Sequence, residues 1–309
     1  MCFQRLRPQH HELPVEGWYD IIDRLARFKP RIHLSGGEPF VYQDIADLIE
    51  YIKAKKLFLT ITTNGTLLNE HAERLVEQGI DRIHVSIDGP RDVHDSIRGI
   101  PGTFDKLITG LTALTHMKKG MFPLIRINSI IAPHNIPAMH EVVRIAQRFN
   151  AECVQFLHPL GVTKQALEQH RILLEQTLNR DLNYWQHADC GCEISDFSDV
   201  WYDELNEFIK TTASCAVIFP SFTRAQMKAY YTMDKKFYSL MRGKCAALWQ
   251  TTTILPSGDV ESCPDYVIGN CTKEDFLKLW NTQTMRQLRK RIRRRDFFTV
   301  CRACCYFYM

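Results

Sequence analysis

The sequence predicts an α/β fold, in which parallel strands form a sheet and helices pack against it. Strand-like runs alternate with amphipathic helical segments over the first 160 residues, and the connections between them are short. This alternation is typical of a parallel sheet, because each strand needs a crossover to reach the next one. Polar turns follow three of the strands at their carboxyl ends, where α/β folds place their binding sites.

Each predicted element carries a local signal for its type. The strands are short runs rich in β-branched and aromatic residues, whereas the helices repeat apolar residues three or four positions apart. The predicted strands are 31–35, 57–63, 82–87, 123–131 and 152–157, and the predicted helices are 15–28, 41–55, 69–78, 103–118 and 136–149. Because the chain opens on a turn and a helix, we expect a further strand to lie before Met1.

Beyond residue 160 the alternation of strand and helix stops. Three helices and one short strand are predicted there, over 167–182, 202–212, 223–241 and 216–219 respectively. From Cys245 onward the chain consists of short strands, turns and a basic helix over 275–294. We therefore predict three parts, which are a sheet domain over 1–160, a helical linker over 161–243 and a small cysteine-rich domain over 244–309.

Composition narrows the functional class. The formal net charge of +4 over 309 residues is too small to indicate a nucleic-acid-binding protein, and no apolar run is long enough to cross a membrane. Eleven cysteines are many for this length, and six of them lie in the last 65 residues. Without a signal peptide, this clustering indicates thiolate ligands in a reducing cytosol, although buried thiols are the plainer alternative.

The turns after the strands carry the most specific motifs. The first strand ends in Gly36 and Gly37, which leave the backbone open to a ligand because no Cβ blocks it, and Glu38 and Pro39 follow. The next strand ends at Asn64, and a third ends in the sequence SIDGP, which HDSIRG and GTF follow.

Together these motifs resemble the radical S-adenosylmethionine (radical SAM) superfamily. The resemblance implies a partial (β/α)6 TIM-like barrel that lacks its first strand here. It implies that Gly36, Gly37, Glu38 and Pro39 receive the amino group of S-adenosylmethionine, and that Asn64 lies in a neighbouring turn. It also implies that Ser86 and Arg98 hold the carboxylate, and a planar guanidinium suits that ligand.

Two polar residues of a later strand are further candidates. Arg126 and Asn128 alternate with Ile125 and Ile127, so the polar pair faces the barrel interior if the apolar pair faces the helices. A charged interior residue without a partner is costly, which favours a cofactor or substrate role for both.

The family binds its catalytic [4Fe–4S] cluster through Cys-x3-Cys-x2-Cys after the first strand. Cys2 resembles the last cysteine of that motif, and the other two would lie before Met1. We expect a chain with one ligand of three to be inactive as given.

The C-terminal cysteines form a second module. Two separated thiol pairs, Cys245 with Cys263 and Cys301 with Cys304, suit a tetrahedral zinc ion or a four-cysteine iron–sulfur cluster. The spacing Cys-x12-Gly-x4-Cys resembles the SPASM/Twitch domains that follow radical SAM barrels, and this resemblance implies one auxiliary [4Fe–4S] cluster.

Several further residues have an open role. Asp265 lies near Cys263 and could accept a proton from substrate, although a turn-forming role is equally plausible. Cys271 is expected to be a buried thiol, and Cys305 is spare. Cys190 and Cys192 could bind metal, form a redox pair or have no function. The basic run over 286–295 could dock an acidic partner or nucleic acid, but a solvated helix is the favoured interpretation.

The resemblance implies an oxidoreductase that takes hydrogen from a sugar-like alcohol or a peptide by means of a 5′-deoxyadenosyl radical. The auxiliary cluster would accept an electron or anchor the substrate, and flavodoxin or ferredoxin would be the reductant. The alternative from another class is a non-catalytic remnant that binds partners and has a structural metal at its C-terminus.

Overall fold

The computed structural model describes residues 12–132, 135–178, 185, 199–212, 214–234, 236–241 and 245–308. Two compact units divide the chain. The first comprises Leu25–Pro159 and Asp203–Ser221. The second comprises the described residues up to Arg24, from Leu160 to Tyr202, and from Phe222 onward. None of the described helices is long and apolar enough to cross a bilayer.

The first unit is built on a parallel sheet of six strands. They lie side by side in chain order, and within the described part of the chain the sheet does not close into a barrel. The strands are β1 (Arg31–Leu34), β2 (Phe58–Thr63), β3 (Arg82–Ser86), β4 (Leu124–Ile130), β5 (Cys153–Leu157) and β6 (Ala216–Phe219). The predicted α/β class is confirmed. β6 pairs with β5 in this sheet, so the short strand predicted within the helical linker belongs to the sheet.

Helices connect the strands of this unit. They are α1 (Val15–Ala26, shared with the second unit), α2 (Ile45–Ala54), α3 (Leu68–Glu77), α4 (Arg91–Arg98), α5 (Thr103–Met117), α6 (Met139–Arg148), and α8 (Asp199–Thr212), which begins in the second unit. α4 is missing from the sequence prediction because its only buried residue is His94, so it shows no apolar repeat. Gly99 ends it in the left-handed conformation at φ 70°.

Alternation along the strands separates an apolar face from a polar one. Ile83, Val85, Ile125 and Ile127 are fully buried on one face. The register places the intervening polar residues on the opposite face, where His84 pairs with Arg126, Ser86 with Asn128 and Asn128 with Gln155. The sheet therefore has a hydrophobic side and a polar side that ends at the carboxyl edge.

The second unit contains the remaining helices and a small antiparallel sheet. The helices are α7 (Lys164–Leu178), α9 (Arg224–Tyr231), α10 (Phe237–Leu240), α11 (Ala247–Gln250), α12 (Phe276–Trp280) and α13 (Gln283–Arg293), and the strands are β7 (Thr253–Ile254), β8 (Asp259–Cys263) and β9 (Tyr266–Asn270). The predicted helix 223–241 is two helices, because Met233 adopts a left-handed φ of 57° after α9.

Candidate active site and cysteine cavity

The turn after β1 is tied to the end of β2 by Glu38. One carboxylate oxygen of Glu38 accepts a hydrogen bond from the Thr63 hydroxyl at 2.7 Å, and the other accepts one from the Asn64 backbone N–H at 2.7 Å. Burial raises the pKa of Glu38 despite these hydrogen bonds and the nearby Arg98 guanidinium. Glu38 therefore positions two neighbouring turns at the carboxyl edge of the sheet.

The two glycines of the same turn are exposed. A Cβ built on Gly36 or Gly37 would meet no protein atom within 4 Å, and neither glycine has a positive φ that would require it. Packing within the described chain thus gives no reason for glycine at these positions. A ligand that approaches the backbone closely does give one. Pro39 follows and starts a single helical turn.

Asn64 shapes the turn after β2. Its side-chain oxygen accepts hydrogen bonds from the Thr66 N–H at 2.8 Å and the Thr66 hydroxyl at 2.6 Å. Gly65 in this turn has a φ of 83°, which favours glycine.

Arg98, the last residue of α4, is held beside the end of β3. One terminal nitrogen of its guanidinium lies 2.7 Å from a carboxylate oxygen of Asp88, which is only 3% exposed. The Nε atom of Arg98 is buried and has no hydrogen-bond partner. The Asp88 pair orients the guanidinium, and the Nε–H donor is left without an acceptor in the described chain.

Asp88 is a site residue that the sequence analysis gave no role. Its second carboxylate oxygen accepts the Ile130 N–H at 3.2 Å, and its own N–H donates to Nδ1 of His94 at 3.2 Å. Burial and the Arg98 guanidinium lower the pKa of His94, which keeps this nitrogen an acceptor. The signal in the sequence that could have identified Asp88 as a partner of Arg98 is a carboxylate ten residues before that arginine.

Ser86 and Asn128 lie side by side on the polar face. They are register partners near the carboxyl end of β3 and within β4. The side-chain oxygen of Asn128 is buried and has no partner in the described chain. Orphaned buried polar atoms are rare, and a bound ligand is one explanation for them.

Arg126 has a protein partner that the sequence analysis did not anticipate, and its role at the site stays a prediction. Its guanidinium pairs with the Glu152 carboxylate, with an Nη2-to-Oε1 distance of 3.1 Å, and Arg82 contacts the same carboxylate at 2.7 Å. The charge of Arg126 therefore has a protein partner just before β5. The argument that it needs a ligand to neutralise it no longer holds.

Two histidines complete the polar face, and the sequence analysis did not single them out. The rings of His33 and His84 have centroids 5.7 Å apart, and His33 Nε2 lies 3.2 Å from the Thr62 hydroxyl. Burial, His33 and two arginines lower the pKa of His84 to about 3, so its ring is neutral at physiological pH. Nε2 of His84 is buried without a partner.

In the second unit, four cysteines line one cavity. They are Cys245, Cys263, Cys301 and Cys304, and apolar side chains such as Leu248, Ile292 and Phe298 complete its wall. Burial raises the pKa of all four thiols, and the four interact electrostatically with one another. Thiolates in such a place need a bound cation to stabilise their charge.

The donor set fits an iron–sulfur cluster. Among the described residues, no three His, Cys, Asp or Glu side chains lie close enough to hold a single metal ion. A four-iron cluster binds each thiolate to a different iron, so four thiols that line a shared cavity are what it requires. The N–H groups of Ala247 and Leu248 also donate to the Cys245 sulfur, as donors around cluster thiolates do.

Local geometry explains why Gly258 precedes Cys263 in this module. Gly258 has a φ of 83° in the turn between β7 and β8, and an added Cβ would lie 2.8 Å from Thr272 Cγ2. The turn returns the chain along β8, which ends at Cys263.

Asp265 lies in the next turn, as expected, but its carboxylate is enclosed. Asp265 is 2% exposed, one carboxylate oxygen is 3.4 Å from His170 Nε2, and the same oxygen accepts the Trp185 N–H at 3.4 Å. Its own N–H donates to Glu261. A role as proton acceptor stays a prediction, and the φ of 72° supports the turn-forming role.

The other cysteines are spread over the chain. Cys271 is buried and is not among the residues that line the cavity, and Cys305 is exposed. Cys2, Cys190 and Cys192 lie outside the described residues.

Comparison with known families identifies two domains in this chain. A family model of the radical SAM superfamily matches residues 1–129, and a model of an iron–sulfur cluster-binding domain, SPASM, matches residues 245–305. The chain therefore contains a radical SAM domain and, at its C-terminus, a SPASM iron–sulfur domain. The polar edge of the sheet lies in the first matched region, and all four cavity cysteines lie in the second.

Relatives of this radical SAM chain include named enzymes. The AdoMet-dependent heme synthase of Methanosarcina barkeri is 28% identical over 90% of this chain and 76% of its own length. Streptococcus suis SuiB bound to the precursor peptide SuiA has a TM-score of 0.62 and 15% identity, over 90% of this chain and 60% of that chain. The protein anSMEcpe with bound AdoMet has a TM-score of 0.60 and 16% identity, over 93% of this chain and 77% of that chain. At these identities the solved structures establish the fold.

Proposed function

We propose that this chain is a radical SAM oxidoreductase that binds S-adenosylmethionine at the carboxyl edge of the six-stranded sheet. The observation that supports this most is the orientation of Arg98 by Asp88, with a buried Nε left unpartnered, at the same edge as Ser86 and the exposed Gly36–Gly37 turn. These groups offer a guanidinium, a hydroxyl and open backbone to a ligand that has one carboxylate and one amino group.

Each residue has a proposed task in holding the cofactor. The Arg98 guanidinium and the Ser86 hydroxyl would donate hydrogen bonds to the carboxylate. The backbone at Gly36 and Gly37 would accept the amino group, and Glu38 would keep the two turns in place. Bound to an iron–sulfur cluster, S-adenosylmethionine supplies a 5′-deoxyadenosyl radical, which takes a hydrogen atom from substrate.

The polar face of the sheet would orient the rest of the ligand. Asn128 offers a buried carbonyl oxygen without a partner, and the neutral His84 offers a ring nitrogen without one. Neutral acceptors suit hydroxyl and amide donors. Arg126 would act on this face through its pair with Glu152 and hold β4 against β5.

In the second unit, Cys245, Cys263, Cys301 and Cys304 would hold an auxiliary [4Fe–4S] cluster. That cluster supplies a one-electron acceptor or an anchor for substrate. The enclosing apolar wall would keep water away from it, which affects the potential of such a centre. Asp265 would hold the turn that follows Cys263.

We propose a peptide as the substrate class, in preference to a sugar-like alcohol. SuiB, which shares the fold over 90% of this chain, has been solved with a precursor peptide. A tetrapyrrole is the second candidate, because the heme synthase relative matches 90% of this chain. The two differ in chemistry, since a peptide offers amide groups and a tetrapyrrole offers a planar apolar ring.

A turnover assay tests the proposal. The protein carrying a complete three-cysteine motif is reconstituted without oxygen and supplied with S-adenosylmethionine and dithionite. We expect 5′-deoxyadenosine to form, with a rate at least tenfold lower in Ser86→Ala combined with Asn128→Leu. The exposed helical variant Thr112→Ala is the control. No 5′-deoxyadenosine from the parent protein, or equal rates in the double variant, would contradict the proposal.

A further inference from the structure

Helix α13 has two opposite faces, and one of them borders the cysteine cavity. Met285, Leu288 and Ile292 form a buried apolar stripe, and Ile292 lines the cavity itself. The opposite side of the helix is the outward face. It lies one helix diameter, ~10 Å, from the buried face.

The outward face is a stripe of four exposed cations, which we call the basic stripe. Arg286, Lys290, Arg293 and Arg294 are spaced by four, seven and eight residues from the first, so they share one side of the helix. Within the part of the chain that the structure describes, none of the four pairs with a carboxylate. The Arg293 guanidinium instead lies 5.3 Å from the Trp249 ring centroid.

Lys290 and Arg293 lie in the last turn, where the negative end of the helix dipole favours cations, but other positions of the stripe cost the helix stability. Arg286 lies in the first turn, where the positive end of the helix dipole disfavours a cation. Arg286 with Lys290, and Lys290 with Arg294, are like charges four residues apart, which repel each other. A carboxylate in the first turn would stabilise a solvated helix, and that turn has none.

The positive charge is also concentrated here. The segment 286–295 holds seven of the 39 Lys and Arg residues and no acidic residue, so without it the net charge of +4 would be −3. The stripe is therefore a local cationic feature on a chain that is otherwise slightly acidic. Such a feature steers an acidic partner to one place.

We propose that the basic stripe docks an acidic one-electron carrier protein of the flavodoxin or ferredoxin class, which exchanges one electron with the cysteine module. This inference rests on the proposed function, because it takes the cysteine cavity as a redox site. The substrate radical loses one electron and one proton to give the oxidised product. The carrier accepts that electron and is thereby reduced by one electron, and the proton goes to water.

The place of the stripe favours an electron carrier over nucleic acid. A carrier seated on α13 would lie across this one helix from the cavity, which Ile292 of the same helix lines. Arg289 lies 4.9 Å from the Trp280 ring centroid and Arg293 lies 5.3 Å from that of Trp249, so part of each ring is already occupied and less stacking surface is left for bases.

Charge reversal tests the docking directly. The triple variant Arg286→Glu, Lys290→Glu and Arg294→Glu is compared with Lys106→Glu, Lys119→Glu and Arg144→Glu, which reverses three exposed cations of the first unit. Calorimetry with an acidic ferredoxin and with a flavodoxin at two salt concentrations gives the affinity. We expect a Kd at least tenfold higher in the stripe variant, little change in the control, and weaker parent binding at high salt.

Two results would overturn the inference. One is an equal Kd for the carriers in the stripe variant and the parent. The other is that the parent binds no carrier but does bind a 20-base-pair DNA duplex or a single-stranded RNA, and that this nucleic-acid binding is lost in the stripe variant. Iron and sulfide are measured on every sample, so that failure of the cluster, which would refute the proposed function, is distinguished from failure of docking.

Discussion

At the scale of single residues, Arg98 carries the cofactor proposal. Asp88 fixes one end of its guanidinium, and the buried Nε is left as an unpartnered donor. A lysine would keep the charge but lose the planar fork that binds a carboxylate through two parallel hydrogen bonds. The geometry of this one side chain therefore matters more than its charge.

Replacing Arg98 by Lys should weaken the binding of S-adenosylmethionine. Losing a charge-assisted hydrogen bond costs roughly 1.5–3 kcal/mol, which is on the order of ten- to a hundredfold in affinity. Calorimetry on the protein with a complete cysteine motif measures it. Arg144→Lys, an exposed arginine paired with Glu141, is the matched control and should leave the affinity unchanged. Equal affinities in both variants would show that Arg98 serves only the fold.

The sequence could name site residues but not their protein partners. Ser86 and Arg98 follow from motif spacing, whereas Asp88 needs the return of α4 to the end of β3. The partner of Arg126 was likewise hidden, because Glu152 lies 26 positions away and only strand pairing brings the two together. Long-range partners of this kind leave no periodic signal in the chain.

At the scale of elements, the hairpin of β7 and β8 sets the position of Cys263. Gly258 is the residue that lets the chain turn, with a φ of 83° and no room for a Cβ beside Thr272. Asn270 stabilises this turn, because its side-chain amide donates hydrogen bonds to the Ser257 carbonyl and to the Asp259 carboxylate.

Gly258→Ala should destabilise this hairpin by about 1–3 kcal/mol and lower cluster occupancy, because the left-handed conformation and the close contact both oppose a side chain. Thermal unfolding and iron content measure the two effects. Gly120→Ala is the control, since a Cβ there meets nothing within 4 Å and the φ is not positive. Equal stability and iron content in Gly258→Ala and the parent would refute the role given to this turn.

Elements with a strong repeat were predictable, and those defined by contacts were not. The strands with alternating or apolar runs lie where the sequence predicts them. β6 was recognised as a strand, but its place in the sheet depends on pairing with β5 across some 60 residues. The sequence did not predict α4, because this helix has no apolar face. The sequence pattern predicted one continuous helix over 223–241, whereas the left-handed conformation of Met233 divides it into two.

At the scale of the whole molecule, buried neutral histidines should make stability depend on pH. Burial lowers the pKa of His158 to about 4, and burial together with His33 and two arginines lowers that of His84 to about 3. In the unfolded chain both have pKa values of about 6.5. Below that pH the unfolded state binds more protons, so stability is lost as the pH falls.

We therefore expect the free energy of unfolding of the first unit to fall between pH 6.5 and 4, by up to about 1.4 kcal/mol per pH unit for each histidine. Urea titration followed by circular dichroism at pH 7, 6 and 5 measures it. His158→Gln should flatten the slope, and the exposed variant His116→Gln should not. An unchanged slope in His158→Gln would contradict this explanation.

The most direct test of the account is the metal content of the chain after anaerobic reconstitution. If Cys245, Cys263, Cys301 and Cys304 hold one [4Fe–4S] cluster, the protein should contain about four iron and about four sulfide per chain. Cys301→Ser should lose most of both, whereas Cys271→Ser should keep them. Stoichiometric zinc without sulfide, or full iron and sulfide in Cys301→Ser, would contradict it.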